Sequence, residues 1–207
     1  MTGITEVRPG FMTLDRATTI TRVVDAPTTL WRNGKGRTTS LHTHAPGSRT
    51  DPSWTLSLAS LSEPADFSTF AGYDRHFMIA GPNTVELDVD GQRRPVAYTE
   101  VARFSGEAHV RVHIGDGPSQ ALNLMVRRSE FSGDLTFRRI DDERVIDPRR
   151  VTALVLLSGV MHVGGLSLSS CGDTVVIGDK PVILAGHSAV VARIRVQRNE
   201  TERVPSK

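Results

Sequence analysis

Apolar and polar residues alternate along most of this chain with a period of two. Val85, Leu87 and Val89 are separated by Glu86 and Asp88, and the run stops at Asp90-Gly91. Successive side chains of an extended strand point to opposite faces, so this alternation describes a strand with one buried and one wet face. Asp-Gly then supplies two residues that tolerate positive φ, which a tight hairpin turn requires, and predicts a hairpin over 85–98. Ala108, Val110, Val112 and Ile114 alternate with His109, Arg111 and His113 in the same way, and the pattern returns at Leu166–Leu168 and at Val190–Val196. The mostly apolar run Val151–Leu157 lies between Pro148 and Ser158-Gly159. It fits a strand buried on both faces better than a helix.

Turn signals recur at short intervals, among them Asn33-Gly34, Gly81-Pro82, Gly115-Asp-Gly-Pro118, Ser132-Gly133, Gly164-Gly165 and Gly172-Asp173. Helical periodicity is weak throughout. Many short strands with such spacing predict an all-β sandwich or barrel. The segment Arg138 to Arg150 is charged and interrupts the strand signals. It divides the chain into a first unit, residues 1–140, and a smaller second unit, 141–207, with no linker long enough to let the two move independently.

Composition narrows the classes of function. The 207 residues are 38% hydrophobic and 23% charged, a globular rather than a disordered profile. The net charge of +2 is too small, and the paired arginines too scattered, for a nucleic-acid footprint. A single cysteine, Cys171, excludes a disulfide framework within the chain and any zinc site built on cysteines. No apolar run is long enough for a membrane span. The first residues lack the apolar core of a secretory leader, so a cytoplasmic protein is expected.

The densest cluster of chemistry is Trp31-Arg-Asn-Gly-Lys-Gly-Arg-Thr-Thr39. Glycines there free the backbone while Trp31, Asn33 and Lys35 crowd around it, a turn that could offer donors and cations to an anion. The spacing is not that of a phosphate loop. His42-Thr-His44 is the candidate metal pair, because residues i and i+2 of a strand share a face. Ala-Pro-Gly-Ser-Arg follows it and no carboxylate appears until Asp51, so no metal and no cofactor are expected. His109 and His113 lie about 13 Å apart along a strand, too far to share an ion. Cys171 has no base beside it, and no nucleophile elbow occurs. Asp74-Arg75 is an adjacent acid and base on a strand, so one must face away from whatever the other lines. Arg75 is the preferred carboxylate clamp, because a guanidinium meets a carboxylate in bidentate fashion.

Four blocks resemble one known family. Trp31–Thr38 resembles the W-K-N-G-G-G-x-T signature of the HutD/Ves family, and Trp54-Thr-Leu-Ser-Leu-Ala59 its W-R-x-S-x-A. Phe67-Ser-Thr-Phe-Ala-Gly-Tyr-Asp-Arg75 resembles F-S-x-F-P-G-x-D-R, and Leu122-Asn-Leu-Met-Val-Arg-Arg128 the end of D-L-N-L-M-x-R-R. Order and spacing agree over about residues 12–200. The resemblance implies a bicupin, two cupin-like β-barrels in one chain. It also implies an association with histidine utilisation, and a regulatory or accessory role through binding a small anionic, amino-acid-derived ligand such as formylglutamate. No reaction is assigned to the family. The chain departs from the pattern with Lys35 for Gly, no Glu near Ser40 where the family has one, Thr55 for Arg and Ala121 for Asp, which puts the identity of its ligand in question.

These readings place a ligand site in the first unit. Trp31 and Trp54 are expected as apolar walls, with Asn33, Lys35, Arg75 and Asn123 as polar contacts to a small carboxylic acid. The second unit, rich in Val, Leu, Ala, Gly and Ser, is expected to be a filled support barrel. Two other classes stay open: a metal-dependent cupin oxygenase or isomerase using His42 and His44, and a ligand-free interaction protein. Exposed sheet edges leave a homodimer open; no nucleic acid and no membrane are expected as partners.

Overall fold

The computed structural model describes residues 17–200 apart from 32, 33, 35 and 48–50. In chain order the strands are β1 (Thr19–Thr21), β2 (Thr28–Leu30), β3 (Gly36–His44), β4 (Trp54–Leu61), β5 (Ala65–Asp66), β6 (Tyr73–Ile79), β7 (Val85–Val89), β8 (Gln92–Val96) and β9 (Val101–Ser105). They continue as β10 (Val110–Ile114), β11 (Ser119–Arg127), β12 (Phe131–Ile140), β13 (Glu143–Ile146), β14 (Ala153–Val163), β15 (Leu166–Leu168), β16 (Thr174–Val176) and β17 (Val182–Arg198). One short 3-10 turn, Val23–Asp25, is the sole helical element among the described residues, so the fold is all-β.

Three sheets result. A six-stranded sheet runs β2-β3-β4-β11-β6-β9, a four-stranded sheet runs β5-β10-β7-β8, and a seven-stranded sheet runs β1-β16-β14-β17-β12 with β13 added on β17 and β15 on β14. The hairpin forms where alternation predicts it. Val85 pairs with Val96 and Val89 with Gln92, and Asp90 and Gly91 take φ values of 51° and 83°.

The charged segment around 138–150 behaves otherwise than expected. It carries the end of β12 and all of β13, and both pair with β17. Its charges project outward while Leu135 and Ile140 are buried, so polarity along it marks an exposed face rather than a break in strand structure. The hydrogen bonding therefore puts Phe131–Ile140 in the seven-stranded sheet, and β1 joins the same sheet through β16.

The six-stranded sheet is covered on both faces. Leu56, Leu58, Met78, Leu122, Leu124 and Val126 pack against Leu135, Ala153, Val155, Leu157, Ala192 and Ile194 of the seven-stranded sheet. The alternate residues Ala59, Leu61, Phe77, Ile79 and Ala121 meet Val85, Leu87, Val96, Val110 and Val112 of the four-stranded sheet. A third cluster, including Leu154, Leu156, Met161, Leu168, Val175, Leu184 and Val191, lies within the seven-stranded sheet itself. That sheet bends where the register of β14 on β17 shifts between Leu156, Ser158 and Val160, as bulged strands do.

Candidate functional site

The face of the six-stranded sheet that meets the four-stranded sheet is only partly filled. Beyond the apolar cluster it opens into a cavity of about 640 Å³. Alternate residues of neighbouring strands form its floor: Ser57 and Ala59 of β4, Asn123 and Met125 of β11, and Arg75 of β6. Asn123 stands opposite both Ser57 and Phe77, and Met125 opposite both Thr55 and Arg75. Leu30, Trp31 and Thr38 form one wall, and Asp66, Phe67, Ser68 and Phe70 the other.

Arg75 dominates the electrostatics. It is 7% exposed. Its guanidinium lies 5.1 Å from the Phe67 ring, 5.6 Å from Phe70 and 5.2 Å from Phe104. It donates to the Ser68 carbonyl at 3.1 Å and to Asn123 Oδ1 at 3.4 Å, while its Nε–H has no partner. Among the described residues no carboxylate pairs with it; Asp66 at the rim is held by Arg111 at 2.7 and 2.9 Å. Burial alone pushes the guanidinium down to about 10, so it stays charged at neutral pH. Three aromatic faces stabilise a cation, but they do not neutralise it. What remains is a buried positive charge, with an unused donor, at the floor of an open cavity.

A second network fixes the loop that carries the phenylalanines. Phe70 N–H donates to the Gly106 carbonyl at 2.7 Å. A Cβ on Gly106 would lie 2.1 Å from the Phe70 carbonyl, so only glycine permits this approach. Gly72 N–H donates to Glu107 at 2.7 Å, and Arg128 bridges Glu107 at 2.8 Å, Asp74 at 2.9 Å and the Tyr73 carbonyl at 2.7 Å. The Arg128 hydrogen bonds, then the Gly72 N–H, hold the Glu107 carboxyl well below the usual carboxylate range. The adjacent acid and base thus divide as strand geometry requires: Asp74 faces outward to Arg128 and Arg75 faces the cavity. On the opposite wall, Trp31 Nε1 donates to Thr38 Oγ1 at 2.8 Å. A Cβ on Gly36 would meet the Trp31 ring at 3.0 Å.

Of the residues singled out from sequence, Trp31, Arg75 and Asn123 line this cavity together. Asn33 and Lys35 lie outside the described residues. Trp54 is on the opposite face of the sheet, 4% exposed. Its ring lies 4.6 Å from that of His42 and 5.7 Å from that of His44. Parity along β3 would put Thr38, Ser40, His42 and His44 on one face. Instead Ser40 pairs with Ser57 and His42 with Leu56. The extra residue, Leu41, is a bulge that flips the histidines away from the cavity. His44 and Trp54 border a smaller cavity of about 300 Å³ with Phe131, Thr152 and Ile177. Among the described residues no group of three or more His, Cys, Asp and Glu is placed to hold a metal ion.

His76 also faces away from the cavity. Burial, then the charge of Arg103, lowers it below the ordinary histidine range. Burial, then Asp173, pushes the Cys171 thiol up to about 11, which leaves it protonated and inert. Sequence reasoning missed Phe67, Phe70 and Phe104 as partners of Arg75. The first two stand in the block that ends in Arg75. Phe104 is its cross-strand neighbour, a relation that only the order of strands in the sheet reveals.

The HutD family model matches residues 23–198. An "Uncharacterized 21.2 kDa protein in hutC 3'region" of Pseudomonas putida is 36% identical over 116 residues, 55% of this chain and 60% of that protein. Protein Ves of Citrobacter koseri is 32% identical over 104 residues, 49% of this chain and 54% of that protein. The chain thus spans little more than half the length of these two relatives. The structure of HutD from Pseudomonas fluorescens SBW25 superposes with a TM-score of 0.74 at 23% identity, covering 88% of this chain and all of that one.

Proposed function

The chain belongs to the HutD family, and from that premise we propose that it is a small-molecule-binding bicupin whose first unit takes a small carboxylic acid on Arg75. The observation that carries the reading is the buried guanidinium with a free Nε–H and no carboxylate partner at the base of an open cavity. Burying an unpaired charge is costly. A protein that keeps one at the floor of a cavity has a site preorganised for the opposite charge. Asn123 and the Ser68 carbonyl fix the plane of the guanidinium, so the ligand meets a set geometry. Among the described residues no group of three or more His, Cys, Asp and Glu is placed to hold a metal ion, and the reading is binding in a regulatory or accessory role.

The name of the Pseudomonas putida relative sets the biological frame, a place beside a gene of histidine utilisation. It makes an amino-acid-derived acid the natural ligand class, with formylglutamate the first probe. Calorimetric titration tests the reading. Arg75→Ala should weaken an acid that binds by about 1.5–3 kcal/mol, the scale of hydrogen bonds to a charged group. Arg138→Ala, on the exposed face of β12, should leave affinity unchanged. Equal loss from both variants, or none from Arg75→Ala, overturns the reading.

A further inference from the structure

Beyond Arg75 the cavity changes character. Leu30 is 69% exposed and Phe70 is 40% exposed, large apolar groups left open to water at its mouth. Trp31, Phe67 and Met125 continue the apolar lining inward. Three of the polar side chains near them are engaged: Thr38 with Trp31, Asn123 with Arg75, and Asp66 with Arg111. The volume of about 640 Å³ is well beyond what a one- or two-carbon acid fills. A pocket of this kind orients its ligand with a few polar groups and holds the rest by apolar contact.

We propose that the acid bound here carries one carboxylate on an apolar, ring-bearing body, as an arylalkanoic acid does. The carboxylate meets Arg75, and the ring lies along Phe67, Phe70, Trp31 and Leu30. This rests on the reading of Arg75 as the carboxylate site and narrows it from small acids in general to one class. Ring edges and faces are already arranged for such a guest, because Trp31 and Phe67 stand edge to face at 6.5 Å between centroids and aromatic groups favour such contacts. Covering Leu30 and Phe70 supplies the apolar contribution to affinity that a second carboxylate could not.

The test is a calorimetric series on the full chain with 3-phenylpropionate, its neutral amide, glutarate and formylglutamate. The expected order is 3-phenylpropionate at least about tenfold tighter than glutarate, formylglutamate or the amide. Leu30→Ala, at a position 69% exposed, should weaken 3-phenylpropionate several-fold and leave glutarate unchanged. Glutarate or formylglutamate binding as tightly as 3-phenylpropionate, with loss in Arg75→Ala, overturns this inference and upholds the carboxylate reading. The amide binding as tightly as the acid overturns the carboxylate reading itself. Binding of none of the four overturns both.

Discussion

The two faces of the six-stranded sheet are cut from the same strands. On β11, Leu122, Leu124 and Val126 point one way into a dry core against the seven-stranded sheet. Ala121, Asn123 and Met125 point the other way, toward the four-stranded sheet and the cavity. Along β11 the first face is aliphatic and buried. The second carries an arginine, an asparagine and a serine, and it stays open. Strand periodicity lets one element meet both demands, because each face answers to every second residue. Under the proposed function recognition belongs to the open part of the second face, and substitutions at adjacent positions should separate it from stability.

The largest separation is expected at Leu124. Leu124→Ala should cost about 2–5 kcal/mol, the range for truncating a buried leucine, read as a lowered denaturant midpoint. Acid affinity of the remaining folded protein should stay the same. Its neighbour Asn123→Ala should do the reverse and weaken acid binding while costing less stability than Leu124→Ala. If Leu124→Ala also impairs binding by the folded fraction, the faces are coupled and the comparison fails.

Arg75→Met is the next largest and has the opposite sign. Removing a buried, unpaired charge while keeping a long side chain among three rings should raise stability by about 1–2 kcal/mol. Thermal denaturation should show a higher midpoint together with lost acid binding. A lower midpoint would mean that the cation–π contacts and two hydrogen bonds outweigh the burial of the charge.

His76, on the dry side of β6, tests that face by pH. Its folded-state affinity for a proton is reduced by burial and by Arg103, with Asp134 and Asp74 acting the other way. The unfolded chain therefore binds the proton first as pH falls through the ordinary histidine range, and stability is lost there. His76→Gln should reduce the stability lost between about pH 7 and pH 5 by up to about 1 kcal/mol. An unchanged pH profile would remove His76 from the account.

The smallest effect is expected at Glu107. Glu107→Gln loosens the hold of Arg128 and Gly72 on the loop that carries Phe67 and Phe70. Amide hydrogen exchange should quicken over residues 67–72 and acid affinity should fall, with the global unfolding midpoint unmoved. Exchange unchanged in that loop would show that Gly106 alone secures it.

Much of this was legible in the chain. Alternation located the strands, and Asp90-Gly91 located a hairpin. The opposed directions of Asp74 and Arg75 follow from strand geometry alone. Three things were not legible. A bulge at Leu41 inverts the phase of β3, so the face that His42 and His44 take cannot be counted from Thr38. Trp54 has the size of a pocket wall, but its place in the register puts it in the core between sheets. The third aromatic partner of Arg75 is Phe104, and no local pattern links residues on strands that become neighbours only through sheet order.

The central claim is that the unpaired guanidinium of Arg75 awaits a carboxylate. It is tested most directly by nitrogen-15 NMR of the arginine Nε–H groups during titration with 3-phenylpropionate. One resonance, absent from the spectrum of Arg75→Met, should shift progressively and saturate with the acid, because a carboxylate on the guanidinium changes the electrostatic field at its Nε–H. If that resonance stays fixed while the acid binds elsewhere or not at all, Arg75 is not the site and the account is wrong.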